Sequence, residues 1–597
     1  MKTLQQLGMV ILGVGFMELG FSHAIARADQ GLFLTYPPEV HQTTAEQIFL
    51  IGTAAPEGEV LVNGESIQRN AAGHFAPSFP LQVGDNTFTL RYGDQEKRVV
   101  VTRLSTGLAV PDGVAFVPES LMPTVDIARL PGELICFEAI APPNAAVSVS
   151  LGTHSIPLSP EPPNPSLPPN YSVLTFDNQP TVLTNANDSS GAMLYQGCRT
   201  FTNPGLLGAP TYRMVFDGQT VQTAAAGTVE IFDPNQIQVV EVTAESGTAR
   251  TGPSTHYSRL TPLPPGTRAR LTGREGEWFR MDYGAWIRGT KAVVQGVVMP
   301  PRSLIRSVQM RQGTDRTEML FPLQVPVPIS VDQGSDTFSL TLHNTTAQTD
   351  TILLNDDLLV ERMDWTQPNP DEVTYRFTLK TQQQWGYDIR YEGTTLVLVL
   401  HHPPALRPGP QPLQGMRILL DPGHGGPNDL GARGPTGYPE KDVALDISLL
   451  LRDELEQRGA TVIMSRTEDV DVGLGDRVNL IQSSNPHLAL SVHYNALPDN
   501  GDAINTAGIG TFWYNAQAHR PAVVLHNYLV ETLGRPSYGV FWNNLALTRP
   551  TTAPSVLLEL GFMINPDEFE WVIDPVEQQR LANALADGIL AWVNESQ

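Results

Sequence analysis

A chain of 597 residues is longer than one hydrophobic core can organise, so about three to five domains are expected. Apolar residues make up 41% and charged residues 17%, with 51 Gly and 50 Pro, which argues against a multi-span membrane protein and for β-rich modules joined by turns and stiff linkers. The formal charge of −24 argues against a general nucleic-acid binder, because phosphate needs a basic face.

Residues 1–28 read as an export signal. Lys2 supplies a positive start, an apolar stretch runs from Leu7 to Phe21 with Glu18 interrupting it, and Ala24, Ala26 and Ala28 give small residues at cleavage spacing. The alternative is an uncleaved anchor, but the run is short for a spanning helix, and no later segment is apolar enough to cross a bilayer. The expected location is the periplasm or cell wall. Cys136 and Cys198 form either one disulfide in an oxidising compartment or two buried thiols. Neither belongs to a C-x-x-C pattern, so redox catalysis and a cysteine zinc site are not expected.

Residues 32–104 alternate apolar and polar positions in short runs, such as Gln47–Gly52 and Asn86–Tyr92, with turn signals at Asn63-Gly64 and Gly84-Asp85. This pattern predicts a β-sandwich and resembles small bacterial Ig-like domains. Residues 106–232 carry similar strands, Leu134–Ala139 and Gly227–Phe232 among them, with a Pro-rich insertion at Leu158–Pro169; a second sandwich is expected. Within 236–296, the runs Ala249–Ser258, Leu263–Thr267 and Gly276–Met281 with Ala285–Ile287 resemble bacterial SH3-like barrels, which usually bind wall components. Trp278 and Trp286 either offer a surface for sugar or peptide or fill the small core, the latter more so for Trp278. Residues 300–403 again look all-β, and their close at Trp385–Leu400 resembles the AMIN targeting modules of some wall amidases. Five prolines between Pro403 and Pro412 then predict a stiff, extended linker over 404–415.

From 416 to 597 strands and helices alternate. Met416–Leu420, Thr461–Met464, Leu488–Val492 and Ser555–Leu558 read as buried strands. Val443, Ile447, Leu450, Leu451 and Leu455 share one helix face, and further helices are predicted over Pro521–Leu533 and Val576–Trp592. This is an α/β domain with helices packed on a mostly parallel sheet.

Three polar motifs fall at strand ends, where such sheets gather catalytic groups. Asp421–Gly426 follows the first strand, Ser491–Ala496 ends the third, and Leu557–Phe562 ends the last; Gly437–Asp442 lies between the first two and opens a helix. His424, Glu440 and His493 supply two imidazoles and a carboxylate, a donor set of catalytic zinc sites. Glu559 is placed to take a proton from water and deliver it to a leaving nitrogen.

The ordered motifs DPGHGG, EK, SVHYNA and LLELGF-x-x-N resemble those of the zinc-dependent N-acetylmuramoyl-L-alanine amidases of the AmiA/AmiB/AmiC type. That resemblance implies a six-stranded sheet flanked by helices. It also implies His424, Glu440 and His493 as zinc ligands, Glu559 as the catalytic carboxylate, and cleavage of peptidoglycan between N-acetylmuramic acid and L-alanine. Tyr494 stands where a small residue is more usual and is expected to line the cleft. The short polar loop Leu497–Ile509 leaves no room for the long inhibitory insertion of some relatives, so an open site is expected. The β-modules would hold the enzyme on the wall, with divisome or wall-associated activator proteins as possible partners.

Blander roles stand beside these. Glu440 would cap its helix, Glu559 would pair with Arg549, and Asp421 would orient His424 or serve a turn. Arg466 and Arg477 would bind substrate carboxylates or, more simply, make structural salt bridges. His401, His402, His487, His519 and His526 lack motif context. Two rival functions remain: a non-catalytic wall-binding protein that keeps the domain as a scaffold, and a zinc peptidase that cuts stem peptides.

Overall fold

The computed structural model describes residues 31–104, 113–161, 192–297, 299–407 and 409–596. The export-signal stretch and residues 162–169 of the Pro-rich insertion lie outside the described residues. No described helix is long and apolar enough to cross a membrane.

Alternating side chains let each strand of the N-terminal two-thirds bury one face. In residues 33–103 a five-stranded sheet faces a three-stranded one, with Ile48, Leu50, Val60, Leu90 and Val99 between them. The next module contains a six-stranded sheet in which Cys136 and Cys198 are register partners and form a disulfide, which settles the two readings of these residues. Its strands Ile127–Arg129, Gly205–Gly208 and Val229–Ile231 continue through Arg268–Glu275 into one nine-stranded sheet. The boundary expected near residue 235 therefore falls within a shared sheet. Trp278 and Trp286 are both buried, and the Arg129 and Arg280 guanidinium groups cover the Trp286 ring at 5.6 and 5.7 Å. Neither tryptophan presents an open binding face.

Residues 303–401 form a five-stranded and a four-stranded sheet, whose core is continuous with that of the preceding module through Val240, Ile287, Phe321 and Leu398. The Pro-rich segment does not stand out as an extended spacer. Leu413 and Met416 are fully buried in the core of the C-terminal domain, with Leu406 packed against it, and Leu413 N donates to the Arg458 carbonyl at 2.9 Å. Leu406 between the prolines and Leu413 and Met416 after them anchor the segment to that core.

The C-terminal domain consists of β1 (Arg417–Pro422), α1 (Glu440–Gln457), β2 (Thr461–Met464), α2 (Leu474–Ser484), β3 (Leu488–Asn495), β4 (Ile509–Trp513), α3 (His519–Leu533), β5 (Ser537–Trp542), β6 (Ser555–Phe562), α4 (Pro566–Ile573) and α5 (Pro575–Glu595). The six strands lie in the order β2-β1-β3-β6-β4-β5. Only the β4–β6 pairing is antiparallel. Ile418, Leu420, Leu490 and Val556 pack beneath Ile447, Leu525 and Leu585 of α1, α3 and α5, whereas Leu419 and Ala489 turn to Ile481 of α2. Both faces are covered, as a central parallel sheet requires. The polar motifs therefore have one exit, the C-terminal ends of β1, β3 and β6.

Candidate active site

His424 lies two residues beyond β1 with φ 56°, a left-handed conformation that costs a non-glycine residue about 1–3 kcal/mol unless its surroundings impose it. Two buried arginines impose it. Arg477 donates to the carbonyls of Pro422 and His424, both at 2.6 Å. Arg466 donates to those of Gly423 at 2.8 Å and Lys441 at 2.7 Å. Both guanidinium groups are thus committed to structure, Arg466 to backbone carbonyls and Arg477 to backbone and the Asp421 carboxylate, which favours the simpler structural reading over contact with substrate carboxylates. Asp421 belongs to the same network, accepting from Arg477 and from Ser465 and Ser491. The partner of His424 Nδ1 is instead Asp429 Oδ1 at 2.6 Å, so Asp429, not Asp421, directs Nε2 inward.

Glu440 is the first residue of α1, where the helix N-terminus favours a carboxylate. The N-cap position is Pro439, and the backbone donors to the Glu440 carboxylate come from outside the helix. Its oxygens accept from Ala432 N at 2.8 Å and Tyr494 N at 3.0 Å, and they lie 3.1 Å from His424 Nε2 and 3.0 Å from His493 Nδ1. Burial pushes its pKa upward, but the two histidines outweigh that and hold it at about 2. Burial likewise disfavours the His424 cation, yet Glu440 and Asp429 lift that group to about 9. His493, on β3, is the parallel register partner of Glu559 on β6.

Small residues make the convergence possible. A Cβ on Gly423 would sit 2.5 Å from the His493 ring, and one on Gly431 would sit 2.5 Å from Glu440 Oε2 and 2.6 Å from His424 Cδ2. The two imidazole rings lie 5.0 Å apart and nearly perpendicular, at 83°.

One potential donor atom from each of His424, Glu440 and His493 falls within 4.8 Å of the others. Nε2 of His493 and Oε2 of Glu559 are buried without a hydrogen-bond partner, a costly condition that marks a site awaiting another species. Two nitrogens and one carboxylate fit zinc. Burial, and then the charge of Glu440, raise the pKa of Glu559 well above the usual carboxylate range. Arg549 does not pair with Glu559, since its guanidinium donates to the side chain and carbonyl of Asn544.

Tyr494 is 2% exposed and belongs to the core, so it does not line the cleft. Adjacent residues of a strand point to opposite faces, so where Tyr494 turns into the core His493, half-buried at the strand's end, turns away from it. Asn495, two residues on, buries its Nδ2 without a partner. The sequence reading missed both Asn495 and Asp429. Asn495 is signalled by its i+2 spacing from His493, and Asp429 has only its closeness to a Gly-rich turn.

A family profile described as N-acetylmuramoyl-L-alanine amidase matches residues 418–591. The germination-specific N-acetylmuramoyl-L-alanine amidase of Bacillus subtilis (strain 168) is 34% identical over 208 residues, covering 32% of this chain and 84% of that relative. The probable cell wall amidase LytH of Staphylococcus aureus is 36% identical over 180 residues, 30% of this chain and 58% of its own length. Among solved structures, the N-acetylmuramoyl-L-alanine amidase from Clostridium difficile 630 is 30% identical, with 30% of this chain and 98% of that one covered and a TM-score of 0.29.

Proposed function

The chain belongs to the N-acetylmuramoyl-L-alanine amidase family, and on that premise we propose that it is an exported, zinc-dependent peptidoglycan hydrolase cleaving the amide between N-acetylmuramic acid and L-alanine. One observation carries this reading: a His424, Glu440, His493 donor set stands beside a separate half-buried carboxylate, Glu559, whose buried Oε2 has no partner. A structural polar cluster would satisfy its own members.

His424 and His493 would hold zinc through imidazole nitrogens, and Glu440 through a carboxylate oxygen. When bound, the ion supplies Lewis-acid activation of water and of the scissile carbonyl. Asp429 fixes the His424 ring by holding Nδ1, the orienting role that a carboxylate plays behind a metal-binding imidazole. Glu559 takes the proton of the attacking water at Oε2 and returns it to the leaving nitrogen. Its raised pKa, caused by burial and the Glu440 charge, suits a group that must hold a proton between taking it up and passing it on.

In this reading 32–104 and 106–232 are Ig-like sandwiches, the second sharing a sheet with an SH3-like 236–296 region, and 300–403 is an AMIN-like domain. Together they keep the enzyme on the wall and raise the local substrate concentration, in the periplasm, during remodelling or daughter-cell separation, with divisome or wall-associated activators as partners. Digestion of purified peptidoglycan, with and without a chelator, tests the chemistry by product mass. Free peptides beginning with L-alanine are expected, and only without chelator. Cleavage inside the peptide would indicate a peptidase, and chelator-resistant cleavage would remove the zinc.

A further inference from the structure

Three segments of the catalytic domain are gripped by the N-terminal β-module, and each adjoins one residue of the active site. Thr35 Oγ1 donates to the carbonyls of Gly434 at 3.1 Å and Pro435 at 2.9 Å, in the turn that leads into Glu440. Tyr36 donates its hydroxyl to Asp499, whose other oxygen lies 2.9 Å from His41 Nε2, and Gln47 Nε2 donates to the Asn500 carbonyl at 2.6 Å. That loop leaves β3 just after His493. Asn70 Nδ2 donates to the Pro566 carbonyl at 2.9 Å, and His74 Nε2 lies 2.8 Å from Glu570, in the stretch that follows Glu559. Beneath these polar contacts Phe49, Ile51 and Ala76 of the module share one buried cluster with Ala503, Phe562 and Ile564 of the catalytic domain.

A module that served only as a tether would be free to move on its linker, which is the ordinary behaviour of domains lacking an apolar interface. Here the interface is apolar at its centre and hydrogen-bonded at its rim, and it closes on the flanks of Glu440, His493 and Glu559 alone among the strand-end motifs. We propose that the N-terminal module is a positioning clamp, in which Thr35 holds the turn before Glu440, Tyr36 and Gln47 the loop after His493, and Asn70 and His74 the stretch after Glu559, and thereby set the catalytic rate. This rests on the amidase reading above. Its physical basis is the tolerance of such sites: functional groups must be held to about 0.5 Å, and a displacement of about 1 Å costs up to about 10²-fold in rate.

Two substitutions in the full chain test the clamp on different segments. Asp499→Ala removes the acceptor of Tyr36, and Thr35→Val removes the hydroxyl that grips the Glu440 turn. Each variant is compared with the parent for kcat and KM on soluble glycan–peptide fragments, for binding to purified sacculi and for melting temperature. The expected result is a kcat about tenfold lower, with KM and sacculus binding within about twofold of the parent, and with most of the rate recovered in Asp499→Asn, which keeps one acceptor oxygen. A kcat unchanged in the folded variants would overturn the clamp, as would a loss of rate matched by an equal loss of sacculus binding, the mark of a tether. If Asp499→Ala does not fold, Thr35→Val decides alone. An inactive parent refutes the amidase reading itself, whereas an active parent with unaffected variants refutes only the clamp.

Discussion

Two buried acid clusters sit side by side at the ends of β1, β3 and β6, and they differ in how far their hydrogen bonds are completed. Asp421 has Arg477, Ser465 and Ser491 as donors, and its side chain is 1% exposed. Glu559, on the strand two places away, buries Oε2 with no partner. Glu440 falls between, with two backbone donors and two imidazoles. A saturated carboxylate fixes the backbone around it; an unsaturated one retains chemistry for a visiting species. This contrast supports the proposed division, with Asp421 structural, Glu440 toward the metal and Glu559 toward proton transfer.

The sharpest way to break that contrast is to remove a member from each side. His493→Ala deletes a ligand and is expected to abolish both stoichiometric zinc and peptidoglycan cleavage, measured by metal analysis and product mass; near-normal activity would remove His493 from the site. Arg477→Ala acts on the saturated cluster and leaves Asp421 buried and unpaired, so a stability loss of about 3–5 kcal/mol is expected in denaturant titration. A loss under about 1 kcal/mol would show that Asp421 does not depend on its partner. Asp429→Asn sharpens the contrast more gently: the carboxylate behind His424 is weakened, zinc affinity is expected to fall about 10- to 100-fold, and the zinc-free protein is expected to melt slightly lower below pH 9, where Asp429 helps hold the His424 cation.

The smallest effect is a pH dependence of the zinc-free chain. His424 is lifted to about 9, above its ordinary value, so its contribution to stability is complete below about pH 6.5 and is lost as pH rises through 9. The raised carboxyl of Glu559 acts with the same sign, because its protonated form is favoured in the fold and is lost as pH rises. Chelated protein is therefore expected to melt at progressively lower temperature between pH 6.5 and 9. Zinc should reverse the trend, since it needs unprotonated ligands. A flat profile without metal would contradict the pairing of His424 with Glu440.

What the sequence revealed and what it hid follow from the range of each interaction. The strand-end motifs were legible because Gly-rich turns, ionisable residues and apolar runs are contiguous, and β2 needed no adjustment at either end. Helix α1 was legible from its apolar stripe, whereas α2, whose buried residues are Arg477 and Ile481, has almost none. Strands β4 and β5 and the short α4 also passed unread, α4 even though Asn565 caps it and Pro566 opens it, because its single apolar turn is too short to show a period. Tyr494 was misplaced because a parallel strand buried on both faces carries no alternation to say which way a side chain turns. The Pro-rich stretch read as a spacer because its prolines are visible in sequence, while the burial of Leu413 and Met416 is a tertiary fact. The docking of the N-terminal module rests on scattered polar residues such as Thr35 and Gln47, each unremarkable until brought against a carbonyl from several hundred residues away.

The division of labour between Glu440 and Glu559 is tested most directly by the Glu559→Gln variant, with zinc content and turnover measured on the same preparation. The expected result is one zinc per chain, as in the parent, with release of L-alanine peptides reduced about 10²- to 10⁴-fold, the usual contribution of a positioned general acid–base. Turnover within a few-fold of the parent, or loss of zinc together with turnover, would contradict the assignment of Glu559 as a proton carrier separate from the metal.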